Sequence, residues 1–120
     1  MSVALWVVQS LLALVFLWSA YSKGTWSRER LVASGQTGVQ GLPVPLIRFI
    51  ACVELLGALG LLLPGLTGIA PFLTALAAVG LGVIMLLAAA THVRLHELGT
   101  AAANVLLFGA CVFVLVGRSP

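Results

Sequence analysis

Four apolar stretches, each long enough to cross a lipid bilayer as a helix, constrain this chain more than any motif in it. They run over residues 3–21, 46–63, 71–91 and 101–116. At about 1.5 Å of rise per residue each spans roughly 25–32 Å, close to the roughly 30 Å of a hydrocarbon core. Lipid offers no partner to a backbone N–H or C=O, so such stretches must be helices, which satisfy these groups internally. Composition agrees: 62% of the 120 residues are hydrophobic, 8% are charged, and the mean hydropathy is +1.21. Soluble domains carry about 25% charged residues, and a chain with so few cannot cover itself with polar surface. The expectation is an all-α integral membrane four-helix bundle, one membrane domain over 1–120, with a long loop at 22–45.

The basic residues predict its orientation. Lys23, Arg28 and Arg30 lie in the first loop, Arg48 just inside the second run and Arg94 in the third loop, whereas the opposite side offers Arg118. By the positive-inside rule the first and third loops face the cytoplasm and both termini lie on the extracytoplasmic side. The first run has no basic residue before it and bulky Trp18 near its end, a pattern of a retained helix rather than a cleaved signal. The net charge of +3 is a topology signal; six scattered basic residues make no nucleic-acid footprint. Cys52 and Cys111 fall on separate runs with no C-x-x-C, and read as small buried hydrophobes.

Within "FIACVELLGALGLLLPG", residues 49–65, stands one of only three acidic side chains, Glu54. A carboxylate in hydrocarbon must face the bundle interior, and such a residue is a functional candidate by default. Ala51, Glu54 and Ala58 share one helical face, so small residues flank it. Gly57 and Gly60 offer a second narrow surface for close helix approach. Two states are open to this carboxyl: neutral, as a hydrogen-bond donor, or ionised beside Lys23, Arg48 or His92. The bland alternative is a carboxyl that ties the bundle together through interhelical hydrogen bonds.

The other polar residues gather at the same depth. Ser19, Tyr21, Ser22 and Lys23 end the first run, Arg48 opens the second, Thr91 and His92 end the third, and Asn104 lies one turn into the fourth. The other half of the bilayer holds little beyond Gln9 and Ser10. This asymmetry predicts a polar pocket open toward the cytoplasm, with Glu54 and His92 as acid–base groups and Lys23, Arg48, Asn104, Ser19, Ser22 and Tyr21 as ligand-binding groups. In "HVRLHE", His92 and His96 stand at i and i+4, a spacing that can hold a metal with Glu97 or Glu54 as third ligand. Two histidines at an interfacial helix end are the commoner outcome, and no metal is assigned. The loop segment "TWSRERLVAS" fits a short interfacial helix with Trp26, Leu31 and Val32 toward lipid, either a plain connector or a lid over the pocket.

These residues resemble a known family. "YSKG" closing the first helix, "ELLGALGLLLP" in the second, a histidine ending the third and an asparagine early in the fourth resemble the DoxX-like proteins, small bacterial four-helix membrane proteins. The matching positions are Lys23, Glu54, His92 and Asn104. The resemblance implies the fold and a place in the bacterial cytoplasmic (inner) membrane as a multi-pass protein. It links relatives to a thiosulfate:quinone oxidoreductase subunit and to membrane redox complexes.

Four readings compete, the last of them a purely structural or assembly subunit. In the first, a quinone-like lipophilic molecule binds the polar groups and the chain is the membrane subunit of an oxidoreductase system. No flavin, haem or iron–sulfur signature is present, so the chain carries no intrinsic cofactor and electrons would come from a soluble redox partner. In the second, Glu54 and His92 make the chain an isomerase, cyclase or hydrolase on an apolar substrate. The third is a small proton-coupled transporter. Candidate partners are thus the lipid bilayer, a lipophilic small molecule, a soluble redox protein or a second copy of the chain, and no nucleic acid.

Overall fold

The computed structural model describes residues 2–118. Its four long helices are α1 (Ser2–Thr25), α3 (Val44–Thr67), α4 (Phe72–Arg94) and α5 (Leu98–Arg118). The short helix α2 (Arg28–Ala33) and a single 3-10 turn (Thr37–Val39) lie between α1 and α3. No strand occurs among the described residues, and each long helix is long and apolar enough to cross a membrane. The chain is a multi-pass membrane protein.

Each long helix runs further than its apolar stretch. The first loop is correspondingly shorter than the expected 22–45, because Ser22 and Lys23 stay within α1. The reason is local: Ser22 Oγ donates back to the carbonyls of Trp18 and Ser19, 3.1 and 3.0 Å away, so a polar side chain costs nothing in the last turns. Pro43, fixed near φ −65°, starts α3, and Gly68 ends it at φ 72°, its N–H on the Pro64 carbonyl. Ser27 caps α2 by accepting from Arg30 N–H at 3.1 Å.

The helices are apolar all round, so the hydrophobic effect alone does not choose which face turns inward. Small and polar residues choose it. On α3 the buried positions are Ile47, Ala51, Glu54, Ala58, Leu61 and Pro64, at steps of three or four. On α4 the same rhythm buries Thr74, Ala78, Leu81, Met85, Ala89 and His92. Steps averaging 3.5 are those of a left-handed helix–helix seam. Large Leu, Val and Phe side chains face outward, as lipid permits.

Neighbouring helices in sequence pack antiparallel, α1 on α3, α3 on α4 and α4 on α5, with a thinner contact closing α5 on α1. Gly60 lets α3 and α4 approach: a Cβ there would lie 2.9 Å from Ala77 Cβ. Gly117 of α5 receives Leu5 of α1, so the start of α1 and the end of α5 meet at one end of the bundle. The opposite end carries α2 and the 3-10 turn.

Pro64 inside α3 removes the N–H that the Gly60 carbonyl would accept. Thr74 of α4, itself buried, supplies the missing donor: its Oγ1 lies 3.0 Å from that carbonyl. Thr74→Val therefore leaves a buried acceptor unsatisfied and is expected to cost about 1–3 kcal/mol, with Thr74→Ser retaining most of it. Thermal unfolding of the purified protein in detergent checks this, and a Val variant as stable as the parent refutes it.

Candidate functional site

The centre of the polar end is Glu54, 0% exposed on the inner seam of α3. Lys23 of α1 reaches it with Nζ 2.9 Å from Oε1, its own side chain 16% exposed. Ser19, one turn earlier on the same face of α1, points Oγ at both carboxylate oxygens, 3.0 and 2.9 Å away. Both oxygens thus have a partner, Lys23 Nζ on Oε1 and Ser19 Oγ on Oε2. The i, i+4 spacing of Ser19 and Lys23 is what lets one helix deliver both groups.

Around this pair the structure sorts the sequence-predicted residues differently from the expectation. Arg48 sits one helix over but turns its guanidinium onto the carbonyls of Lys23 and Trp26, at the end of α1. There it satisfies acceptors that a helix terminus leaves open and opposes the negative pole of the helix. Ser22, fully buried, accepts from Gln36 Nε2 at 2.9 Å instead of joining Glu54. Tyr21 is outside the cluster: it is 59% exposed, with its ring 6.4 Å from that of Trp18. Two residues beyond Ser19, it lies about 200° around the helix, which turns it to the lipid side.

His92 pairs with a different acid. Its Nδ1 lies 2.8 Å from Glu97 Oε1, and Thr37 Oγ1 donates to the same oxygen. The ring is 6% exposed, and its Nε2 faces Gly38, where a Cβ would come within 3.4 Å. His96 does not join it: α4 ends at Arg94, and His96 takes a left-handed φ of 60° in the turn to α5. The i, i+4 spacing therefore never becomes one helical face. Among the described residues no group of three histidine, cysteine or acidic side chains converges.

Asn104 remains. Its Nδ2 is buried with no hydrogen-bond partner. Helix contacts give its depth: Gly57 of α3 meets Leu81 of α4, and Gly82 of α4 meets Cys111 and Phe108 of α5. From that level Glu54 lies about 4.5 Å and Asn104 about 10 Å toward the 3-10 end, so the two differ in depth by only about 6 Å.

The 3-10 segment closes this end. Gln36 ties it to α1 through Ser22, Thr37 ties it to the α4–α5 turn through Glu97, and Val39 packs with Leu31 and Ile47. Leu31 was expected to face lipid but is fully buried in that cluster; Trp26 packs against it with Arg30 over its ring at 4.0 Å. Sequence reasoning missed Gln36 and Thr37, polar residues in a polar loop that carry no periodic signal. It also missed the tie at the other end, where buried Gln9 bonds the Leu61 carbonyl and receives Arg118 Nε at 2.6 Å.

Glu97 is held below the usual carboxylate range, first by the Thr37 hydroxyl and then by His92, while partial burial works weakly against both. A carboxyl with a depressed folded-state pKa contributes above its ordinary value, near 4.5, and loses that contribution as pH falls through the lowered one. Hydrogen exchange of residues 34–42 is therefore expected to be slow and level from neutral pH to about 5 and to quicken in stronger acid, after correction for intrinsic rates. Glu97→Gln should exchange quickly at neutral pH as well. Identical protection in both proteins at neutral pH removes Glu97 as the fastening.

The comparison with known protein families gives a match to the DoxX-like family over residues 7–114. No curated protein and no solved structure matches the chain. With that match covering most of its length, this multi-pass membrane protein belongs to the DoxX-like family.

Proposed function

We propose that the protein binds a lipophilic small molecule with a quinone-like polar head between Glu54 and Asn104, as the membrane subunit of an oxidoreductase system in the bacterial cytoplasmic membrane. The observation that carries the reading is the Asn104 amide, a buried donor with no acceptor in the same half of the bundle as the Lys23–Glu54 pair. A native interior rarely keeps an unsatisfied polar group without a use for it, and a ligand carbonyl is the acceptor that fits. Lys23 and Ser19 are the further donors within reach of Glu54. Two-electron reduction of a quinone consumes two protons; Glu54 is the group placed to pass them on, and the electrons come from a soluble redox partner. The first and third loops then face the cytoplasm, with the 3-10 segment as the cover of the site.

A second reading has one observation in its favour. Glu97 holds His92 by Nδ1 and leaves Nε2 turned toward the 3-10 segment, the arrangement in which a carboxylate orients an imidazole for acid–base work. Lifting the segment would expose that nitrogen to an apolar substrate, with no electron donor required.

Asn104→Leu separates ligand from fold. Removing an unpartnered amide is expected to leave stability unchanged or raise it by about 1 kcal/mol, while the co-purifying lipophilic molecule, identified by mass spectrometry, falls at least about tenfold. A quinone retained equally by both proteins overturns the proposal. A substrate converted by the purified chain alone supports the second reading instead.

A further inference from the structure

The end of the bundle where α1 starts and α5 stops holds a cation that no acidic side chain among the described residues neutralises. Arg118 closes α5, and all three acidic side chains lie toward the opposite end: Glu29 on α2, Glu54 beside Lys23, and Glu97 beside His92. The guanidinium is partly buried. Its Nε is taken by Gln9 Oε1 at 2.6 Å, but its Nη2 is buried with no acceptor. Gln9 cannot turn to serve it, because its amide nitrogen donates to the Leu61 carbonyl from a fully enclosed position. The guanidinium carbon lies 5.3 Å from the centre of the Trp6 ring. That ring is itself wedged against Gly65, where a Cβ would come within 2.8 Å. Gln9 and Trp6 thus orient the cation at this end of the bundle.

Trp6 also forms one wall of a shallow groove of about 440 Å³ on α1, lined with Val3, Val7, Ser10 and Leu11. The groove is apolar and opens on the flank that large exposed side chains mark as lipid-facing. A guanidinium with an unmet donor thus stands over Trp6, one wall of this apolar track. An Arg fork favours phosphate or carboxylate oxygens, and a site with little water strengthens that preference.

We propose that Arg118 and Trp6 form a binding site for an anionic membrane phospholipid, whose phosphate meets the guanidinium while an acyl chain lies along Val3, Val7 and Leu11. The groove argues for a lipid rather than free phosphate, because a headgroup alone would leave the apolar track unused. The uncompensated charge argues for an anionic lipid rather than a zwitterionic one. This site is at the far end of the bundle from Glu54 and stands independently of any ligand there.

The test uses the full chain, purified in detergent, stripped of lipid and offered dioleoylphosphatidylglycerol, dioleoylphosphatidylcholine or inorganic phosphate. Native mass spectrometry counts bound lipid, and thermal unfolding reports its effect. The expected result is phosphatidylglycerol retained about tenfold more strongly than phosphatidylcholine, with the preference reduced by added salt. Arg118→Gln should erase the preference. Leu11→Trp, which fills the groove and leaves the cation in place, should weaken retention of phosphatidylglycerol and keeps the test decisive if Arg118→Gln folds poorly. Equal retention of the two lipids by the parent, an unchanged preference in Arg118→Gln, or the same stabilisation by inorganic phosphate as by the lipid each overturns the proposal.

Discussion

Lys23→Met is expected to destabilise the protein by about 3–5 kcal/mol, more than any other single substitution on the seam between α1 and α3. The substitution leaves the Glu54 carboxylate, which has no exposed surface, with only the Ser19 hydroxyl as donor. The diagnostic partner is the double variant Lys23→Met/Glu54→Leu. Replacing both members of a buried pair by apolar residues of similar volume is often neutral or stabilising, so most of the loss should return. Unfolding of the four corners of the cycle in one detergent measures the coupling. A cost of about 1 kcal/mol or less for Lys23→Met, the scale of an exposed pair, would falsify the buried ion pair. If the double variant is stable yet retains no quinone, the pair is kept for the ligand and not for the bundle.

Gly60→Leu is the second large effect. A Cβ at this position meets Ala77 Cβ at 2.9 Å and the Leu73 carbonyl at 3.7 Å, a stub and a backbone atom that cannot swing away. The α3–α4 seam must open, at about 1–3 kcal/mol or more. Opening it also draws the Thr74 hydroxyl away from the Gly60 carbonyl that Pro64 leaves free, so the two losses are coupled. Gly57 differs in kind, since the atoms in the way belong to the Leu81 side chain, whose rotamer can respond. Gly80→Leu is the control: nothing lies within 4 Å of its Cβ, and it should be neutral or slightly stabilising through helix propensity. Thermal unfolding of the three variants orders them as Gly60, Gly57, Gly80. Equal effects at Gly60 and Gly80 mean the helices do not approach where the structure has them.

What local composition sets and what packing sets divide along a physical line. Membrane insertion, four spanning helices and the inward turn of Ala51, Glu54 and Ala58 were legible in the sequence, because transfer into lipid and helix length are properties of local composition. Helix ends were read too short at Lys23, since hydropathy falls before the helix does; a serine returning its hydrogen bond to the backbone keeps the last turns intact. Helix α2 was legible as a short amphipathic segment, yet its apolar side faces Ile47 and Val39 and not lipid. Both surroundings are apolar, and no pattern of residues tells one from the other.

The choice of partners belonged to the tertiary structure alone. Lys23, Arg48 and His92 were equal candidates for Glu54. Adjacency of α1 and α3 together with their axial register gave it Lys23, sent Arg48 to the carbonyls ending α1, and left His92 to Glu97. Tyr21 was lost to the lipid side by helical phase, and Gln36 and Thr37 were gained because the loop folds back over the bundle end. Sequence by itself determined the apolar character of the chain and the number of long helices, which are sums over neighbouring residues. Which polar group meets which depends on the rotation and register of helices that are apolar on every side, and only packing between distant segments sets those.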